Sequence, residues 1–95
     1  MEKTHFLIHH SDDSVGVVTV EGVEKGHGLN GYVMGSDEAF KVEAQHDIPL
    51  GHKVALAALK TGDTIIKYGH DIGRVVADIP KGGHVHVHNV KTKRW

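Results

Sequence analysis

Apolar positions along this chain come in short runs separated by polar and glycine-containing segments. The runs are Phe6-Leu7-Ile8, Val15 to Val20, Phe40 to Ala44, Lys53 to Leu56, Thr64 to Tyr68, Arg74 to Ala77 and Val85 to Val90. Each is rich in β-branched or aromatic residues and too brief for a helix of ordinary length, so each predicts a strand. Strands at such close spacing predict an all-β domain, a compact barrel or folded-over sheet. The one stretch of helical composition runs from Val54 to Lys60. Isolated helices of ~12–15 residues are already marginal in water, so this stretch predicts a strand end followed by at most one helical turn.

The punctuation between runs recurs. An aliphatic residue, two polar or proline positions and a glycine appear as Val23-Glu24-Lys25-Gly26, Ile48-Pro49-Leu50-Gly51, Leu59-Lys60-Thr61-Gly62 and Ile79-Pro80-Lys81-Gly82. Proline fixes φ early in such a unit and glycine accepts positive φ later, so each can reverse the chain. Two copies are closer still, Asp47-Ile48-Pro49-Leu50-Gly51-His52 and Asp78-Ile79-Pro80-Lys81-Gly82-Gly83-His84. This pseudo-repeat predicts that His52 and His84 leave equivalent turns. No linker or charge block divides the sequence, so residues 1–95 are expected to form a single domain.

Composition changes this picture in four ways. The absence of cysteine excludes disulfides, thiolate chemistry and cysteine-ligated metal sites. A net charge of −1, with both signs interspersed, lacks the electrostatic footprint of a nucleic-acid binder. No apolar stretch approaches the ~20 residues of a membrane span. Met1-Glu2-Lys3-Thr4 leads into no secretory core, so the expected location is the cytoplasm. The fourth change is the excess of histidine, 10 residues of 95, which calls for a chemical explanation.

The densest histidine run is Gly82-Gly83-His84-Val85-His86-Val87-His88-Asn89. On a strand, side chains alternate between faces, so three imidazoles would share one face while Val85 and Val87 enter the core. Imidazole suits zinc, iron, copper and nickel, and two histidines two apart on a strand can reach one ion. Read plainly, the same run is a polar strand face rich in histidine. A second cluster, Ile66-Lys67-Tyr68-Gly69-His70-Asp71-Ile72-Gly73-Arg74, gathers cations around two glycines. Arg74 as a bidentate fork and Lys67 as a point charge suit a carboxylate or sulfonate. The plain reading here is a hairpin with an ordinary charged tip. His9-His10-Ser11-Asp12-Asp13 offers two more imidazoles and two carboxylates after a short apolar strand, whereas His5, His27 and His46 stand apart and receive no function. The sequence contains no phosphate-binding glycine loop, nucleophile elbow or HExxH helix.

The segments DIPLGHKVAL, IIKYGHDIGRVVADI and GGHVHVHNVKTKRW together resemble the SAF-type module of the altronate/galactarate dehydratase superfamily. The likeness is dense from Asp47 to Trp95 and looser around FLIHHSDDSVGVV. It implies a β-clip fold, a divalent metal, iron(II) in type, and a large partner subunit that supplies much of the active site. Carried over by motif, the matching positions are His9, His52, Lys53, Lys67, Tyr68, Gly69, Ile72, Gly73, His84, His86, His88 and Asn89. Within them His84 and His86 are the expected metal-directed residues. Lys53, Lys67, His70 and Arg74 are expected to receive the anionic substrate, and His9, His52, Tyr68, His88 and Asn89 to support the site.

Where sugar-acid dehydratases usually carry an apolar or amide residue followed by proline, this chain has His70-Asp71. That departure turns the expectation toward a sulfonated hydroxy acid, (2R)-3-sulfolactate, cleaved to pyruvate and sulfite by β-elimination. The alternative in the same class is a small subunit or amino-terminal module of a sugar-acid dehydratase. Alternatives of other classes are a non-catalytic sugar-acid or anion-binding module and a metal-delivery protein using the histidine run.

Overall fold

A computed structural model describes residues 3–67 and 70–91 of the chain. Its described elements are all strands: β1 Phe6–Ile8, β2 Val15–Val18, β3 Gly28–Val33, β4 Ala39–Glu43, β5 Lys53–Ala55, β6 Thr64–Lys67, β7 His70–Val75, β8 His84–Val85 and β9 Val90–Lys91. They form a six-stranded sheet ordered β4-β3-β1-β2-β5-β8 and a three-stranded sheet ordered β6-β7-β9. Pairing is antiparallel throughout except between β1 and β3. The all-β expectation holds, and the Val54–Lys60 stretch forms no helix: it leaves β5 and reaches an isolated bridge at Leu59.

All four glycine-ended turns form as their sequences require. Gly26, Gly51, Gly62 and Gly82 have φ of 95°, 85°, 97° and 83°, the region where other residues are strained. In each, the residue after the glycine donates its N–H to the carbonyl three residues back: His27 to Glu24, His52 to Pro49, Asp63 to Lys60 and Gly83 to Pro80. The aliphatic residue that opens each unit is buried, and these residues meet in pairs, Val23 with Ile48 and Leu59 with Ile79. Across each pair an aspartate closes the crossing. Lys25 N–H donates to Asp47 Oδ1 at 2.9 Å, and Thr61 N–H donates to Asp78 Oδ1 at 2.8 Å. The Thr61 N–H and hydroxyl, both donating to Asp78 Oδ1, hold its carboxyl below the usual carboxylate range. The chain is therefore built twice on one plan. Each half has a strand, a turn, a hairpin (β3–β4 or β6–β7) and an Asp-Ile-Pro turn that leads into β5 or β8.

Two apolar clusters follow this division. Phe6, Ile8, Val18, Leu29, Ile48 and Val54 lie in one; Val15, Ala55, Ile65, Val75, Ile79 and Val85 lie in the other. β2 and β5 bury residues into both, which ties the halves together. A further tie is Ser14, whose N–H donates to Ile66 O at 2.8 Å while Ile66 N–H donates to Ser14 Oγ at 3.2 Å.

Three expectations about elements need correction. β3 was unmarked by any apolar run, because Gly28, Asn30 and Gly31 interrupt it. Gly31 is there because the strand passes against the Phe6 ring, with which any side chain would collide. The strand expected from Arg74 to Ala77 instead covers His70–Val75, with a register shift opposite Ile65/Ile66. The strand expected from Val85 to Val90 does not exist as one element. β8 ends at Val85, residues 86–89 bend and turn, and β9 begins at Val90.

Candidate functional site

β8 stops where its partner stops. Val85 pairs with Lys53 and His84 with Val54, so the residue after Val85 would need His52 as a ladder partner. His52 is already in the Pro49 turn. Asn89 takes over instead. Its Oδ1 accepts from His86 N–H at 3.0 Å and its Nδ2 donates to His84 O at 2.7 Å, while His86 O accepts the N–H groups of Asn89 and Val90, each at 3.1 Å. The amide side chain, 7 % exposed, thus serves as the inner strut of the turn. Val87, expected in the core, is 78 % exposed at the tip.

This turn and the exit of the Asp47 turn bring imidazoles together. His52 Nδ1 and His84 Nε2 share a hydrogen bond of 2.8 Å. The His86 ring stacks on His52 with centroids 3.6 Å apart and an interplanar angle of 14°. His84 and His86 lie 6.0 Å apart, nearly parallel at 11°, and His88 is tilted against His84 at 4.8 Å. The pseudo-repeat thus delivers its two histidines into direct contact. His46, assigned nothing from sequence, joins them: its Nδ1 accepts from His84 N–H at 3.0 Å. Its signal was its place one residue before Asp47, in the turn that crosses the other half. By contrast, His5 and His27 use Nδ1 to accept backbone N–H groups of Asn30 and Glu24 elsewhere on the surface.

Burial and crowding favour the neutral form of two of these rings, His84 and His86. Partial burial, then the neighbouring His88, His52, His86 and His46, push His84 down to about 4 from an ordinary 6.5. His86 is pushed down as well, first by burial and then by His52, Lys53 and His88. Neutral imidazole is the form that binds metals and accepts protons. Among the described residues, His86 Nδ1 is the one buried side-chain polar atom without a hydrogen-bond partner. Yet no three histidine or carboxylate side chains among those residues form a group suited to a metal ion. The donor chemistry fits a metal; the number of converging donors fits only a share of its coordination shell.

Of the other expected residues, Lys53 stands beside His86, and both line a cleft of about 140 Å³ walled by Ile65, Ile72, Val85 and Val90. Arg74 lies on β7, exposed, opposite Thr64 and Lys91 in register, and does not line that cleft. Lys67 and His70 pair through their backbones at the end of β6 and the start of β7. Tyr68 and Gly69 lie outside the described residues. His9 follows β1, half-buried, and His88 is exposed at the turn. Asp71, which with His70 departs from the dehydratase pattern, has Oδ1 accepting from Gly73 N–H at 3.1 Å. A larger but shallow recess of about 420 Å³ on the β3–β4 hairpin contains none of the expected residues. Among the described residues no helix is long and apolar enough to cross a membrane.

A twofold-built β module that presents stacked imidazoles at its second Asp-Ile-Pro turn is the class of domain these observations define. The chain belongs to the altronate/galactarate dehydratase SAF domain family, whose model matches residues 4–93. It is 57 % identical over 90 residues to a (2R)-sulfolactate sulfo-lyase subunit alpha from Chromohalobacter salexigens, covering 95 % of this chain and 96 % of that one. A protein of the same name from Paracoccus pantotrophus is 62 % identical over 64 residues, 66 % of this chain and 96 % of the relative. Altronate dehydratase from Bacillus subtilis is 39 % identical over 87 residues, which is 92 % of this chain but 16 % of that enzyme.

Proposed function

We propose that this chain is the small subunit of a two-subunit lyase that cleaves (2R)-3-sulfolactate to pyruvate and sulfite. The observation that carries the reading is end-to-end correspondence, 57 % identity across 96 % of a sulfolactate sulfo-lyase subunit alpha. The altronate dehydratase likeness is weaker and reaches only 16 % of that enzyme, so sugar-acid dehydration is the second reading.

In the proposed reaction a base removes the C2 proton, the C3–S bond breaks with its electron pair leaving on sulfite, and the resulting enolpyruvate becomes pyruvate. A divalent metal, iron(II) in type, would supply Lewis acidity toward the substrate's carboxylate and hydroxyl, making C2–H more acidic. His84 and His86 would hold it in part, the remaining ligands coming from the large catalytic subunit. Lys53, beside His86, places a cation for an anionic end of the substrate. Lys67, His70 and Arg74 are assigned the same task at the hairpin, while His9, Tyr68 and His88 support the site. Asn89 fixes the turn that carries the imidazoles. The general base is assigned to the large subunit and the complex to the cytoplasm.

Co-expression with a large lyase subunit, followed by assays of sulfite and keto-acid release, tests the reading. The pair should be active and this chain alone inactive. His84→Ala with His86→Ala should abolish turnover by the pair while leaving the melting temperature of this subunit within a few degrees. Full activity of that double variant would remove both residues from the site, and release of a 2-keto-3-deoxy acid from altronate without sulfite release from sulfolactate would select the second reading.

A further inference from the structure

The His52–His84 contact has a direction that the chemistry of imidazole decides. A neutral imidazole carries one proton, so one ring nitrogen donates and the other accepts. With His52 Nδ1 against His84 Nε2 at 2.8 Å, two arrangements are available. If His84 Nε2–H donates, both rings carry their protons on Nε2, the tautomer that free imidazole side chains prefer. If His52 Nδ1–H donates, both rings are forced into the less favourable Nδ1–H form. The first arrangement is favoured twice over, once in each ring. It leaves a lone pair on His84 Nδ1 and an N–H on His52 Nε2, and nothing described in the structure competes for either atom.

We propose that His52 is a positioning residue that accepts the His84 Nε2–H and so leaves Nδ1 as the nitrogen with which His84 would share in holding the metal. The tautomers rest on geometry alone; the use made of them rests on the lyase reading above. Two further contacts hold the arrangement. His46 Nδ1 accepts the His84 backbone N–H at 3.0 Å, fixing the main chain, and the His86 ring stacks on His52 at 3.6 Å, fixing the plane of the acceptor. Ring orientation set through the second nitrogen is how a partner tunes a histidine that serves as a ligand or acid–base group.

The test has two arms. In the first, the ¹⁵N-labelled full chain at pH 8, above the ordinary imidazole range, is examined by long-range proton–nitrogen correlation NMR. His52 and His84 should both show a protonated Nε2 and an unprotonated Nδ1. An Nδ1–H signature on either ring overturns the assignment. In the second, His52→Ala and His52→Asn are assembled with the large subunit and assayed for sulfite release. Loss of an outer partner typically costs ~10–100-fold, so His52→Ala should lower kcat/KM by that factor; His52→Asn, whose amide oxygen can still accept the Nε2–H, should recover most of it. Equal activity of His52→Ala and wild type overturns the positioning role. If the wild-type pair releases no sulfite, the lyase reading fails, while the NMR arm still decides the tautomers.

Discussion

Replacing Asn89 with alanine should destabilise the chain more than any other single truncation in the histidine turn. The side chain is 7 % exposed and makes two hydrogen bonds, donating to His84 O at 2.7 Å and accepting from His86 N–H at 3.0 Å. Each bond contributes about 0.5–1.5 kcal/mol net, and a backbone group left unpaired in a partly buried place costs toward ~1–3 kcal/mol. Water reaches the turn from one side, so the lower halves of these ranges apply and the sum is about 2–3 kcal/mol. For a domain of this size each 1 kcal/mol moves Tm by roughly 4–8 °C, which predicts a fall on the order of 10–20 °C. Urea unfolding followed by circular dichroism, with thermal melting alongside, measures both quantities. Val87→Ala is the control: 78 % exposed and in the same turn as Asn89, it should stay within about 0.5 kcal/mol of wild type. Asn89→Asp keeps the acceptor but sets an oxygen against His84 O, so it should fall on the same side as Asn89→Ala. An Asn89→Ala variant as stable as the Val87 control would refute the strut.

Acid should weaken the fold through His84, and the sign follows from its pKa of about 4 against 6.5 when unfolded. Above pH 6.5 both states hold the ring neutral; as pH falls toward 4 the unfolded ring takes up a proton first and stability declines. The ceiling is about 3 kcal/mol, reduced to about 1–2 kcal/mol because the ring is partly exposed to solvent. Tm measured from pH 8 to 4 should therefore drop more steeply for wild type than for His84→Asn, and parallel curves would contradict the cause. Gly31→Ala should lose about 2–3 kcal/mol through collision with the Phe6 ring, whereas Gly28→Ala, facing open space on the same strand, should lose far less in the same urea titration. Asp78→Ala should lower Tm more than Asp47→Ala, because Asp78 Oδ1 also accepts from the Thr61 hydroxyl at 2.9 Å; equal shifts would show that the second bond contributes nothing.

Much of this fold could be read in advance because two local rules dominate it. β-branched runs mark β1, β2, β5 and β6, and the four glycine turns state where the chain reverses. β3 escaped because its sequence answers a ring from another strand, a requirement invisible along the chain. The histidine run misled for a related reason. Its alternation satisfies the strand rule, but the ladder ends at Lys53, and Asn89, three residues on from His86, offers a better partner than solvent. The equivalent turn exits of His52 and His84 were legible from the repeat of Asp-Ile-Pro, but their contact was not. Nor was His46, since the position before the second Asp-Ile-Pro is Ala77 and no repeat marks it. Arg74 looked equivalent to Lys53 in charge, and only the position of the cleft separates them.

The doubled plan also sets when the imidazoles meet as the chain folds. His52 and His84 are 32 residues apart, and the Ser14–Ile66 tie between halves spans 52. Closing loops of that length costs entropy before any contact repays it, so such topologies fold in milliseconds to seconds rather than microseconds. Neither hairpin by itself contains the pair: β5 must lie against β8, and each must first have left its own Asp-Ile-Pro turn. The imidazole contact consequently requires β5 paired with β8, and its proton–nitrogen NMR signature reports that pairing rather than the formation of either hairpin. A ligand that engages His84 or His52 binds only that paired state, and should slow global unfolding while leaving fraying within the β3–β4 hairpin unchanged.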